Sequence, residues 1–286
     1  MMSKEQKAGM LILCATPIGN LEDVTLRVLR VLREADVIAA EDTRQSIKLL
    51  NHYEIKTSLT SYHEHNKREK TPVLVQRMLS GETVALVTDA GTPAISDPGE
   101  DLVRACQEVG IPVTSLPGPS AVITALTLSG MDARRFTFEG FLPTDKKERQ
   151  AVLSRFASAT CTTIFYEAPH RLLKTLQLLA DTAGGQRRIA VCRELTKKHE
   201  TVFHASLAEA VVFFTEQEPR GEFVLVVEGL DVGEQERQQQ EKWQGIPVEE
   251  HMELYLEQGM TKKDAMKAVA KDRGVSKRDI YAEISC

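Results

Sequence analysis

The spacing of apolar and polar positions divides the chain into three regions. Over the first 117 residues, short apolar runs alternate with stretches of helical spacing. "MLILCA" is a continuous apolar run, "VTLRVLRVLREA" repeats its apolar residues every three or four positions, and "DVIAA" reads as a second strand. A helix is expected from about Thr43, then strand "SLTSY" and a helix around "TPVLVQRML". Strand "TVALVT", helix "EDLVRACQEVG" and strand "PVTSL" complete the series. Strands separated by helical segments of roughly 10–15 residues predict βαβ units and a largely parallel sheet.

"LPGPSAV", Leu116 to Val122, reads as a hinge, because two prolines and a glycine end a strand and start a helix. Beyond it the order changes. "RFTFEGFLP" and "CTTIFYEAPH" read as strands around a charged helix, and "RLLKTLQLLADT" as the next helix. "RIAVCREL", "ETVFHAS" and "EFVLVVEG" follow with only short helical material between, which predicts a mixed sheet in a second α/β domain. Residues 231–245 are too polar for a core and read as a linker or exposed helix.

Residues 246–286 predict three short helices, with Thr261 and Ser276 as N-caps. From Thr261 to Ile280, Lys262, Lys263, Lys267, Lys271, Arg273, Lys277 and Arg278 outnumber Asp264, Asp272 and Asp279. This basic helix-turn-helix spacing fits either nucleic-acid docking or a solvated packing tail. The expected domains are therefore 1–117, 118–230, a linker at 231–245 and a helical module at 246–286.

Composition narrows the classes. Hydrophobic residues at 42% and charged residues at 27% are ordinary for a globular protein, and 36 basic against 41 acidic residues do not advertise a polyanion partner. No apolar run approaches the roughly 20 residues of a membrane span. No apolar core of signal-peptide length precedes "MLILCA", so a cytoplasmic location without a membrane partner is expected. The five cysteines are scattered without a C-x-x-C pair, which argues against a zinc site and a disulfide framework.

In parallel sheets, ligands sit beyond the carboxyl ends of the strands. That rule selects the loops "TPIGN", "EDTR", "YHEHN", "DAGTP" and "PGPSA". Gly19 with Glu41 about twenty residues later mimics a dinucleotide site, but "ATPIGN" has one glycine where three are needed. ATP-binding, serine-hydrolase and zinc-protease signatures are missing as well. In "DAGTP", Gly91 and Pro93 make a small, stiff loop with Asp89 and Thr92 at its rim. Taken alone it is either a turn or a surface for a ligand with an aromatic ring, hydroxyls and a positive centre. S-adenosylmethionine has those features.

"ATPIGNLEDVTLRVLRVLREADVIAAEDTR", "VALVTDAGTPAISDPG", "LPGPSAVITAL", "FEGFLP", "FYEAPHR" and "GEFVLVVEG" together resemble the tetrapyrrole-methylase superfamily. Within it they are similar to the branch acting on small-subunit ribosomal RNA, and the likeness runs in order over residues 10–230. The resemblance implies two α/β domains with S-adenosylmethionine in the cleft between them, and a homodimer. It also implies ribose 2′-O-methylation of a cytidine near the decoding centre, on the assembled small subunit, and favours docking for the C-terminal helices. The family's Gly-Asp-Pro cofactor loop falls on Gly91, Thr92 and Pro93; threonine replaces its aspartate, so that hydrogen bond must be made differently. Pro17, Ile18, Gly19, Asp89, Ile95, Ser120, Ala121 and Tyr166 complete the expected cofactor set, with the backbone near Phe223 closing it.

The acceptor hydroxyl must lose a proton as the bond forms. Glu41, Asp42 and Arg44 at one strand end, and His63 and Asn66 at the next, are the candidates, and none is singled out as the base. Asp42 equally suits an N-cap. His63-x-His65 lacks a third ligand at diagnostic spacing, so no metal is expected. Two rival readings remain: a small-tetrapyrrole methylase, disfavoured by the basic tail, and a non-catalytic RNA-binding factor, which leaves the five loops without a purpose.

Overall fold

A computed structural model of the chain describes residues 9–231, 233, 240, 242–243 and 245–284. The first five apolar runs become β1 (Met10–Cys14), β2 (Val37–Ala40), β3 (Leu59–Ser61), β4 (Thr83–Val87) and β5 (Val113–Leu116). They form one sheet in the order β3-β2-β4-β1-β5, with every neighbouring pair parallel, as expected. β1, β2 and β4 are covered on both faces, which is why they read as continuous apolar runs. On one face α1 (Leu26–Glu34) and α2 (Thr43–His52) pack around Ile12, Ile38 and Ala85. On the other, α3 (Lys67–Leu79) and α4 (Gly99–Glu108) pack around Leu11, Leu13 and Leu86.

α3 starts a turn earlier than the pattern around Pro72 predicts. Asn66 closes the preceding turn by accepting from the His63 N–H (2.8 Å), and Lys67 pairs with both Glu64 and Asp101. These local bonds start the helix in a polar segment where no apolar periodicity marks it, leaving Pro72 inside.

The second sheet is mixed. β6 (Phe136–Phe141), β7 (Thr162–Glu167), β8 (Arg188–Arg193), β9 (Thr201–Ser206) and β10 (Phe223–Val227) lie in the order β6-β7-β10-β8-β9. Only β6 and β7 pair in parallel; the other three pairs are antiparallel. α6 (Lys146–Ala157), α7 (Leu172–Ala183) and α8 (Leu207–Glu216) cover one face around Phe156, Phe165 and Leu225. The opposite face takes α5 (Ala121–Ser129), whose Val122, Ala125 and Leu126 pack on Ile164, Ala190 and Val224. Ile18, from the loop after β1, is buried in that same cluster, so a loop of the first sheet is plugged into the second.

α9 (Val248–Glu257), α10 (Lys262–Arg273) and α11 (Lys277–Ile284) share a core of their own built on Met252, Val269 and Ile280. Thr261 caps α10, and Ser276 and Asp279 cap each other reciprocally before α11, as the sequence predicts. His251 is fully buried and stacks on Trp243 with ring centroids 3.5 Å apart. Arg273 donates to its Nδ1 (3.3 Å) and Asp272 lies 3.4 Å from its Nε2. Most of the expected linker at 231–245 lies outside the described residues. Among the described residues no helix is long and apolar enough to cross a membrane.

Candidate active site

The loops after β1 and β4 are tied to each other before they can serve a ligand. Thr16 and Gly91 exchange two backbone hydrogen bonds (2.9 and 3.0 Å), and the Thr16 hydroxyl donates to the Thr88 carbonyl. Gly91 holds φ at +84°, a conformation that suits glycine. Its N–H and C=O are therefore spent on locking two loops, not offered to the cleft. Thr92 uses its hydroxyl in the same way, donating to the Pro119 carbonyl (3.0 Å) and fastening the loop to the hinge. Past Pro93, Ala94 and Ser96 also adopt positive φ (66° and 67°) without being glycines. Each such residue costs about 1–3 kcal/mol. Asp97 holds the strained turn by accepting from the Ala94, Ile95 and Gly99 amides.

Two carboxylates stand at adjacent strand ends. Glu41, after β2, accepts from the Thr88 hydroxyl at 2.7 Å. Asp89, after β4, accepts the Asp42 N–H on Oδ1 at 2.9 Å. Burial, and next the nearby Glu41 charge, push the Asp89 carboxyl above the usual carboxylate range. Asp42 is the N-cap of α2 and accepts from the Arg44 amide (2.8 Å) and from its guanidinium (3.0 and 2.7 Å). Those Arg44 bonds pull its carboxyl down to about 2. Asp42 thus caps and clasps, while Asp89 and Glu41 face a cavity.

That cavity, about 420 Å³, lies between the two sheets. Its far wall is apolar and aromatic, formed by Ala121, Leu195, Phe223, Val224 and Tyr166. Tyr166 is set edge-on to Phe138 (4.8 Å between centroids) and leans on Phe141 (5.6 Å). Glu167 also reaches the cavity, but its side chain is buried, with one oxygen on the Ala168 amide and the other on the Thr175 hydroxyl. Glu222 stands at the rim, paired with Lys197 at 2.9 Å.

Of the expected site residues, Ile18, Glu41, Asp89, Ile95, Ala121 and Tyr166 line this cavity together. Pro17 lines a neighbouring one of about 190 Å³, and Ser120 a third of about 470 Å³. Gly91, Thr92 and Pro93 are not among the lining residues. Gly19 abuts the loop after β8: a Cβ on it would come within 2.4 Å of Lys197 and 2.9 Å of the Leu195 carbonyl. It is a contact between the halves of the molecule. Asn66 bonds Ser61 and His63 and closes its own turn. The His63 Nδ1 is buried and makes no hydrogen bond among the described residues. Neither His63 nor Asn66 lines the cavity. No group of three or more His, Cys, Asp or Glu that could hold a metal occurs among the described residues.

Sequence reasoning missed Thr88, Asp97, Glu167 and Glu222. Glu222 carried one available signal, an acid directly before the buried strand Phe223–Val227.

Residues 10–211 match the family of tetrapyrrole (corrin/porphyrin) methylases. The chain belongs to that family. Among tetrapyrrole methylases, uroporphyrin-III C-methyltransferase from Thermus thermophilus was solved in complex with S-adenyl homocysteine. It shares the fold at a TM-score of 0.56 and 19% identity, covering 77% of this chain and 97% of its own. Cobalt precorrin-4 methyltransferase does so at 0.59 and 16%, covering 78% and 95%. Sequence likeness to other proteins is much closer. Ribosomal RNA small subunit methyltransferase I of Halalkalibacterium halodurans is 50% identical, over 96% of this chain and 93% of that protein. The proteins of the same name from Bacillus subtilis and Escherichia coli O157:H7 are 46% and 42% identical, over 96% and 98% of this chain and 93% and 96% of theirs.

Proposed function

We propose that this tetrapyrrole methylase is an S-adenosylmethionine-dependent methyltransferase. Its substrate is the ribose 2′-hydroxyl of a cytidine in small-subunit ribosomal RNA, near the decoding centre. The observation that carries the reading is the two-sided cavity: carboxylates on one wall, apolar and aromatic side chains on the other. Its volume of about 420 Å³ lies in the roughly 300–1,000 Å³ range of small-molecule sites. The cofactor's chemistry fits that lining. Ala121, Leu195, Val224 and Tyr166 suit an adenine, and the Glu41 carboxylate suits a cationic group. Bound there, S-adenosylmethionine supplies an electrophilic methyl group on a sulfonium.

The chain's own residues then do two things. The Thr16–Gly91 and Thr92–Pro119 bonds fix the strand-end loops, so that acceptor and donor meet in one geometry, where much of the rate of a displacement originates. Asp89, its Oδ1 fixed by the Asp42 amide, holds the acceptor's proton on Oδ2, which its raised pKa favours. Names and identities of the relatives support ribosomal RNA as substrate over a tetrapyrrole. The basic helices after Gly245 serve as the docking module, with residues 1–117 and 118–230 as the two catalytic domains and a homodimer as the working unit. Light scattering that returns a monomer mass removes the dimer.

The decisive experiment is mass mapping of ribose methylation on small-subunit RNA from cells lacking the protein. Loss of one 2′-O-methylcytidine is the expected result. An unchanged map overturns the substrate.

A further inference from the structure

Behind the main cavity lies a second, smaller one of about 190 Å³, bounded by the loop after β1 and by α2. Thr88 and Asp89 line both cavities, so the carboxylate proposed to hold the proton stands in their common wall. The small cavity has apolar sides in Pro17, Leu21 and Leu49. Besides Thr16, Thr88 and Asp89, its polar groups are Gln45, Ser46 and Lys48, from a single turn of α2. Lys48 and Gln45 are exposed and bonded to each other (Nζ to Oε1, 2.9 Å), which sets an ammonium and an amide side by side at the mouth. Ser46 is buried deeper, at 6% exposure.

We propose that this cavity receives the acceptor nucleotide as a single pyrimidine drawn out of an RNA strand; the inference rests on the ribose-methylation reading above. Size argues for it. At about 190 Å³ the cavity is less than half the volume of the main one, about 420 Å³, the scale of a single ring beside a larger site. Chemistry argues for it too. Pro17, Leu21 and Leu49 offer apolar contact to the ring, while the Gln45 amide, the Ser46 hydroxyl and the Lys48 ammonium offer the donors and acceptor that a pyrimidine edge requires. Enzymes that act on one nucleotide of an ordered strand commonly extrude it into such a pocket. Position completes the case: a base seated against α2 leaves its sugar toward Thr88 and Asp89, next to the main cavity. Arg44, 87% exposed at the first turn of the same helix, is available to a flanking phosphate.

The test uses the full chain and a seven-nucleotide single-stranded RNA carrying one 4-thiouridine. Ultraviolet crosslinks are expected on residues 16–21 or 45–49. Gln45→Trp, which puts a bulky ring on an exposed position at the mouth, should abolish them. Ile47→Trp, half-exposed on the same helix but away from the cavity, should leave them. With assembled small subunits, Gln45→Trp should raise the KM for RNA at least tenfold and keep S-adenosylhomocysteine affinity within twofold by calorimetry. Crosslinks elsewhere, or a Gln45→Trp enzyme with wild-type KM, overturn the pocket. A wild-type protein that methylates no ribose overturns the enclosing reading instead, and the crosslink position still decides whether the cavity holds a nucleotide.

Discussion

Replacing Gly91 by alanine isolates a conformational cost from a steric one. A Cβ built at this position meets Ile18 Cγ2 at 3.4 Å and the Pro119 carbonyl at 3.6 Å, both ordinary contacts. The backbone is the obstacle: φ is +84°, and left-handed geometry costs a non-glycine residue about 1–2 kcal/mol. The loop can retain the Thr16 bridge and carry that cost, which lowers the thermal midpoint. At this chain length about 1 kcal/mol corresponds to roughly 2–4 °C. Alternatively it can release the bridge and lower the fraction of molecules competent to bind. Apparent affinity falls in proportion to that fraction, so the same 1–2 kcal/mol weakens Kd by at most roughly 5–30-fold, the full factor being reached only if the bridge is already largely open in the wild type. Calorimetry with S-adenosylhomocysteine and a thermal melt on one preparation read both outlets. A variant with affinity within twofold and an unchanged melting temperature refutes the idea that Gly91 is required for its backbone.

Three further outcomes are expected. Asp89→Asn should slow methyl transfer about 10²–10⁴-fold with little change in cofactor affinity. In the wild type the acid limb of the rate should lie above the ~3.9 of an ordinary aspartate, because Asp89 is raised and must be ionised to accept a proton; a limb at the ordinary value removes it as the base. Burial, and next the Arg273 charge, lower the His251 pKa, so the fold prefers the neutral ring. Its contribution to the C-terminal helices is full above the unfolded pKa of about 6.5 and is lost as pH falls from there toward the folded value. Protection factors of the α9 and α10 amides, corrected for intrinsic exchange at each pH, should therefore be lower at pH 5 than at pH 7.5, and equal protection at both refutes this. Removal of residues after Gly245 should weaken binding to small subunits and flatten its salt dependence while sparing cofactor affinity; equal methylation at several salt concentrations shows the tail only packs.

β1, β2 and β4 were legible because both of their faces are buried, and residues such as Val84 to Val87 have no polar alternation to obscure them. The strand-end rule then brought Glu41, Asp89 and Ile95 to one cavity. What escaped were partnerships across long sequence separations. Nothing in "DAGTP" says that Gly91 spends its amide on Thr16, or that Thr92 faces Pro119 instead of a ligand. Gly19's packing was hidden for a similar reason: its neighbours Leu195 to Lys197 follow a strand of the other sheet, and one-dimensional spacing cannot show them. Glu167 was hidden by composition, since a fully buried acid is expected only where a partner such as the Thr175 hydroxyl, eight residues on, absorbs it.

The position of β10 has a consequence for how the molecule is made. All five strands of the first sheet have been synthesised once Leu116 is complete, so that half can assemble while the rest of the chain is still being translated. The second sheet cannot. Its last strand in sequence lies at its centre, between β7 and β8, and until it arrives the sheet is two separate pairs, β6–β7 and β8–β9. β10 also brings Phe223 and Val224 to the cavity wall. A nascent chain stalled before Phe223 therefore carries Glu41, Asp89 and, on the opposite side, Ala121, Tyr166 and Leu195, but the cavity wall closes only when β10 adds Phe223 and Val224.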